Sequence, residues 1–206
     1  MPALRLTTGT PSLHVEAIEA SSIQPGETVV HVGTGRGYYT AFMAELTGQQ
    51  GRVFAYELEP ELARVTQLNV AESWPQVQVE NRSATDVELP LTDVLYVCAG
   101  VQVIPRSWLA AIAPAGRVVV AIVPGQGEGG LLFASRVDEA RFRARFLRPV
   151  RFYRCIGATD SQAVVALSRA FRERFPDEVR ALRTDTPRPE AWFVGQNYWL
   201  STLDPG

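Results

Sequence analysis

Lysine is absent from the 206 residues, and all 20 basic side chains are arginine. A lysine nucleophile, a Schiff base and a P-loop lysine are thereby excluded. Histidine and cysteine are scarce. Only His14, His31, Cys98 and Cys155 occur, so a zinc site built from these residue types would consume nearly every candidate, and no metal is expected. Both cysteines sit in apolar runs and read as reduced core residues, with a single disulfide as the alternative. No apolar stretch approaches the ~18 residues of a membrane span, and the start of the chain lacks the basic-then-apolar layout of a secretory signal. Net charge is −2, so the overall field gives no reason to expect a nucleic-acid or membrane-surface binder. The expectation is a soluble, cytoplasmic protein.

Apolar residues make up 46% of the chain and charged residues 20%, enough to build one sizeable core. Apolar runs alternate with helical patterns. Thr28 to Val32, Arg52 to Glu57, Asp93 to Ala99 and Arg117 to Val123 read as strands, joined by a weaker one at Val77 to Glu80. Helices are predicted at Leu13–Ser22, Tyr38–Leu46, Pro60–Ala71 and Ser107–Ala113. Continuous apolar strands between helices are the signature of a parallel sheet covered on both faces.

After Pro124 the character changes. Leu131 to Val137 and Ala140 to Cys155 flank Asp138-Glu139 and predict an antiparallel hairpin at the end of the sheet. Helix is expected over Ser161–Arg174 and again over Pro176–Arg183, while the last twenty residues show no period. Residues 1–122 carry 7 arginines against 12 acids, and residues 123–206 carry 13 against 10. Six of those arginines lie between Arg141 and Arg154, interleaved with aromatics. That pattern invites a nucleic-acid reading, but plain strand alternation with one wet and one buried face accounts for it better.

The glycine cluster GTGRGY is the informative feature. A strand ends at Val32, Gly33 and Gly35 permit a tight turn, and Gly37 lets a helix begin close to the sheet, so backbone N–H groups and a partial positive charge face whatever lies above. Glu57 ends the next strand, where a carboxylate can accept hydrogen bonds from a ribose diol. A dinucleotide fingerprint requires a sixth-position glycine, which here is Tyr38. The G-x-G-x-G spacing suits S-adenosylmethionine better than NAD, though a nicotinamide oxidoreductase remains an alternative.

These residues resemble a family. GETVVHVGTGRGYYTAFMAEL followed by GRVFAYELEPELA looks like the cofactor half of the protein-L-isoaspartate O-methyltransferases. PSLHVEAIEASSIQPGE, TDVLYVCAGVQVIPRSWLAAIAPAGRVVVAI and FYRCIGATD are similar to further stretches of the same family, so the likeness covers roughly residues 8–160. It implies the class I methyltransferase fold: an α/β, Rossmann-like, mostly parallel seven-stranded sheet with an antiparallel terminal hairpin. The core would span 1–160, and a helical, aromatic-rich extension, 161–206, would pack on the same domain. It also implies S-adenosylmethionine as cofactor, S-adenosylhomocysteine as product, and O-methylation of a carboxylate. The cofactor residues so implied are His31, Gly33, Thr34, Gly35, Gly37, Tyr38, Glu57, Leu58, Ser83 and Ala84.

Four departures from the family pattern stand out. His31 replaces the usual acid that faces the methionyl ammonium, and it can equally be a satisfied core histidine. Arg82-Ser83-Ala84 stands where the family has Gly-Asp-Gly, leaving Ser83 to reach the adenine. The family's active-site serine falls on Gly9, flanked by Thr8 and Thr10, which become the catalytic candidates. Finally, the family has a longer segment ahead of that motif. Another peptide or a small molecule as acceptor, and a non-catalytic domain binding a nucleoside or a partner protein, therefore stay open. A carboxylate acceptor is ionised at neutral pH and needs no base; for a phenol or amine acceptor His14 is the one candidate base. Trp192, Phe193, Tyr198 and Trp199 are too much apolar area to leave in water. They predict a tail that folds back onto the domain or onto a symmetric partner subunit, either shaping the acceptor pocket or sealing a layer far from it.

Overall fold

Strands whose side chains are apolar on both faces need cover on both faces, and Thr28–Val32, Thr92–Val101 and Ile112–Ile122 at the centre of the sheet find it. In the computed structural model, which describes residues 10–125, 128–173 and 175–206, Thr28–Val32 (β1), Arg52–Tyr56 (β2), Val77–Glu80 (β3), Thr92–Val101 (β4) and Ile112–Ile122 (β5) lie parallel in the order β3-β2-β1-β4-β5. Val30, Leu95, Val118 and Val120 turn to one core and Val29, Val94, Tyr96 and Val119 to the other, the period-two alternation of a strand seen from its two sides. Pro11–Ser21 (α1) and Tyr38–Thr47 (α2) supply Ala17, Ile18, Met43 and Ala44 to the second core. Pro60–Val70 (α3) opens with proline in its first turn and Glu61 beside it, where a missing N–H costs nothing and an acid meets the positive helix end.

Beyond β5 the strands run antiparallel. Gly129–Arg136 (β6) pairs with β5, and Arg141–Val150 (β7) with β6. Asp138 holds the turn between them, its Oδ1 accepting from the N–H groups of Ala140 and Arg141 at 2.9 and 2.8 Å. Phe142, Ala144 and Phe146 are buried while Arg143 and Arg145 are exposed, so strand alternation is the pattern realised along the arginine run.

The sheet continues past the expected seven strands to ten, in the order β7-β8-β10-β9. Ala181–Arg183 (β8), Ala191–Val194 (β9) and Trp199–Ser201 (β10) add three short strands where helix or no period was expected. Residues 176–183 are therefore turn and strand: Pro176 and Asp177 do not continue the preceding helix, and the open edge of β7 supplies the pairing that β8 lacks on its own. The short helix Arg106–Ala110 (α4) likewise stops before Ala113, because Ile112 already pairs with Thr92 of β4 and Pro114 cannot continue a helix. Ser161–Glu173 (α5) packs on the antiparallel half, and Phe171 meets Trp192 edge to face at 5.3 Å. Trp199 is fully buried, its indole N–H donating to the Asp185 carbonyl at 3.0 Å and the Arg183 guanidinium lying 5.1 Å over its ring.

At the amino end of the parallel strands Arg117 makes a two-pronged pair with Glu27 at 2.7 and 2.8 Å and donates to the Ser21 and Ser22 carbonyls. Burial alone would raise the Glu27 carboxyl, but the bonds from Arg117 and the Gln24 N–H outweigh it and hold the group below the usual carboxylate range.

Candidate functional site

The chain leaves β1 toward β2 and β3 on one side and returns to β4 on the other. The carboxyl ends of β1 and β4 therefore border a crevice that no connection crosses, which is where open α/β sheets bind ligands. The glycine loop starts there. Gly33, Gly35 and Gly37 all have left-handed φ, at 79, 60 and 83°. At Gly37 a methyl group would also stand 2.9 Å from Cγ2 of Thr66, so both backbone angle and space demand glycine. From beneath, α3 holds the loop: the Thr66 hydroxyl donates to the Gly35 carbonyl at 3.0 Å, and the Asn69 amide donates to the Arg36 carbonyl at 2.9 Å. Buried Thr34 shares a hydroxyl contact with Thr66 at 3.1 Å.

Glu57 follows β2 and is buried. Its two oxygens accept from the N–H groups of Gly35 at 2.8 Å and Glu59 at 3.0 Å. Each oxygen has a lone pair left, so the carboxylate both shapes the loop and can still accept from a ligand.

A cavity of about 840 Å³ opens beside this loop. One wall is the loop itself, with Gly33, Thr34, Gly35, Arg36, Tyr38 and Tyr39. The opposite wall is the segment leaving β7, Arg148 to Tyr153, and the floor includes His14, His31 and Cys98. That second wall is stapled to the end of β4. The Gly100 N–H donates to the Tyr153 carbonyl at 2.7 Å, the Cys155 N–H to Gly100 at 2.8 Å and the Gln102 N–H to Ala158 at 2.9 Å.

Both histidines lie at the floor and both are neutral. Burial pushes the His14 imidazole down to about 4 and, with His14 close by, that of His31 down to about 3. His31 is fully engaged within the protein, its Nδ1 hydrogen-bonded to Thr40 Oγ1 at 2.9 Å and its Nε2 to Cys98 Sγ at 3.3 Å. His14 stacks on Tyr39 at 3.9 Å and its Nδ1 bonds the Tyr96 hydroxyl at 2.8 Å. Burial raises the Cys98 thiol, so it is protonated at neutral pH.

With this geometry the sequence likeness can be weighed. The family model described as Protein-L-isoaspartate(D-aspartate) O-methyltransferase (PCMT) matches residues 3–160. The chain belongs to this family. Among curated relatives, protein-L-isoaspartate O-methyltransferase 2 of Archaeoglobus fulgidus is 31% identical over 145 residues, 68% of this chain and 65% of that protein. The Rhodopseudomonas palustris enzyme is 28% identical over 176 residues, 84% of this chain and 79% of its own length. The chain thus spans just under two thirds of the Archaeoglobus relative. A PCMT structure from Plasmodium falciparum, determined with S-adenosyl-L-homocysteine, superposes with a TM-score of 0.64 at 19% identity over 74% of this chain and 78% of that one. That likeness establishes the class I methyltransferase fold.

In this PCMT-family chain the cavity brings together Thr10, His31, Gly33, Thr34, Gly35 and Tyr38 of the residues expected from sequence. Gly37, Glu57, Leu58, Ser83 and Ala84 do not line it. Glu57 and the 41%-exposed Leu58 stand at the end of β2. The Ser83 oxygen is 2.8 Å from Thr85 Oγ1 and accepts from the Thr85 N–H, and buried Ala84 gives its carbonyl to the Trp108 indole N–H at 3.0 Å. Thr10 caps the start of α1 without using its side chain; Thr8 and Gly9 lie outside the described residues. Neither cysteine is bridged, and Cys155 is buried while Cys98 reaches the cavity. Sequence reasoning missed the Arg148–Tyr153 wall, although the likeness at FYRCIGATD already pointed to that stretch. It also missed the pairing of His14 with Tyr96. None of residues 181–206 lines the cavity. Phe193, Tyr198 and Trp199 are buried within the domain, on the antiparallel half of the sheet. Among the described residues no three His, Cys, Asp or Glu side chains gather into a metal site, and no helix is long and apolar enough to cross a membrane.

Proposed function

We propose that this chain is an S-adenosylmethionine-dependent methyltransferase acting on the carboxylate of isoaspartyl peptides, the activity for which its relatives are named. The observation that carries this reading is the buried Glu57 carboxylate set against a left-handed glycine loop at the β1/β4 crevice. The residues present fit the cofactor. Open space beside Gly35, the spare lone pairs of Glu57 and the exposed Leu58 suit a nucleoside. When bound, S-adenosylmethionine supplies an electrophilic methyl group.

The chain's own residues have a limited task. The loop and Glu57 orient the nucleoside, and Phe152 and Val150 help exclude water from the cavity they line. Neutral His31, with both ring nitrogens bonded inside the protein, keeps the floor free of charge where the family has an acid. An acceptor carboxylate is already ionised at neutral pH, so no side chain has to take up a proton. Thr10, at the cavity, is the candidate for holding the acceptor, and Thr8 shares that role in the proposal. Free thiols at Cys98 and Cys155 suit a reducing compartment, so we place the protein in the cytoplasm.

Calorimetry tests the reading. S-adenosylhomocysteine should bind and NAD should not, and Glu57→Ala should weaken binding by about 1.5–3 kcal/mol, the loss expected for charge-assisted hydrogen bonds. Tight binding of NAD, or a Glu57→Ala protein as tight as the parent, would remove the assignment. Binding of S-adenosylhomocysteine with no methyl ester formed on an isoaspartyl peptide would leave a nucleoside-binding domain.

A further inference from the structure

The mouth of the cavity carries more positive charge than the reaction requires. Arg36 projects from the glycine loop, and Arg148 and Arg151 from the opposite wall, with Glu128 the one carboxylate among the lining residues. Arg148 is already shared with Glu16 of α1 at 3.3 Å. Among the described residues neither Arg36 nor Arg151 has an ion-pair partner. On the antiparallel half Arg141 has Asp138, Arg143 has Asp204 and Arg183 has Asp185; what sets Arg36 and Arg151 apart is that both line the same cavity. Two unpaired guanidiniums facing one cavity, in a chain of net charge −2, form a local feature that calls for an anion.

We infer that Arg36 and Arg151 bind a second, non-reacting carboxylate on the methyl acceptor, so that the preferred acceptor is a peptide with an acidic residue beside the one that is methylated. This rests on the methyltransferase reading above. The arginines cannot serve the reacting carboxylate well, because a guanidinium donating to it would withdraw electron density from the attacking oxygen. Held to a neighbouring carboxylate, the same planar forks supply orientation and charge complementarity at no such cost. A nucleic acid suits the site less well. It would need a continuous track of cations, and along β7 Arg141, Arg143 and Arg148 are already paired, which leaves Arg145 alone.

The test uses the full chain saturated with S-adenosylhomocysteine, so that failure to bind this ligand, which removes the underlying reading, is seen separately. Two synthetic peptides of equal length carry one central isoaspartyl residue, flanked by glutamate in one and by glutamine in the other. Fluorescence anisotropy should show the glutamate peptide binding about tenfold more tightly at low salt, an advantage that shrinks at high salt. Replacing both arginines (Arg36→Gln with Arg151→Gln, each exposed) should bring the two affinities within about twofold of each other. Equal affinities in the parent, a preference that survives the double substitution, binding of neither peptide, or tighter binding of a short oligouridylate than of the glutamate peptide would each overturn the inference.

Discussion

The two halves of the sheet solve different problems. From β3 to β5 every strand is parallel, β1, β4 and β5 are largely buried on both faces, and the chain has to leave and re-enter the sheet at each step; the crevice is a by-product of those crossings. From β6 to β9 the strands are antiparallel, one long connection carrying α5 separates β7 from β8, and β7 shows arginine on one face. The first half makes a site because its topology reverses at β1 and β4. The second half supplies a wall to that site through a single segment, Arg148 to Tyr153, and otherwise builds stability. Position in the topology, rather than side-chain chemistry, decides which half acts.

The most severe test of that division is Trp199→Ala. Trp199 is buried between β8 and β9, far along the sheet from the glycine loop, and its removal should cost about 3–5 kcal/mol of stability. Denaturant unfolding should show one transition that moves as a whole, with S-adenosylhomocysteine affinity unchanged in conditions where the variant is folded. Loss of the ligand site with the fold intact would break the comparison, since the tail would then act on the crevice.

Acid is the next lever, and it works on the parallel half. The unfolded histidines titrate near the ordinary value of 6.5, while folded His14 and His31 stay neutral down to about 4 and about 3. Between those limits the unfolded chain binds more protons, so stability is full above about 6.5 and falls as pH drops. Each of the two histidines should contribute on the order of 3 kcal/mol of that loss between pH 7 and 4, most of it above pH 5, where ordinary carboxylates are still ionised. Urea midpoints that do not change over this range would mean that the floor of the cavity is open enough to charge in place.

Arg145→Gln should do almost nothing. Arg145 is on the wet face of β7, over Phe133 at 5.7 Å, and its exchange should shift stability by less than about 0.5 kcal/mol. A larger loss would show that the arginine face of the second half is structural after all.

Legibility from sequence follows the same split. β1, β2, β4 and β5 could be read because doubly buried strands are continuous apolar runs, and β7 because its faces alternate. β8, β9 and β10 are three or four residues long, too short for any period, and exist only because β7 offers an edge to pair with. In the site, Gly33, Thr34, Gly35 and Tyr38 belong to one local motif and were readable together. Arg151, Phe152 and Tyr153 reach the cavity only through the hydrogen bonds that tie Tyr153 and Cys155 to Gly100, a long-range fact with no local signature. His31 was left as either a ligand-facing or a core residue. Its two bonds, to Thr40 and Cys98, are the core arrangement, although the ring also borders the cavity.

The contact between Gly37 and Thr66 has an evolutionary consequence. Shortening Thr66 to serine would remove the nearest contact to Gly37 but leave the Thr66 Cα and Cβ at 3.2 and 3.3 Å from a methyl group there, and the loop would still require a left-handed backbone at that point. Steric relief at one site therefore cannot license change at the other. Thr66 can drift while Gly37 stands, but Gly37 cannot follow, so the pair is a one-way constraint in which the order of substitutions does not help.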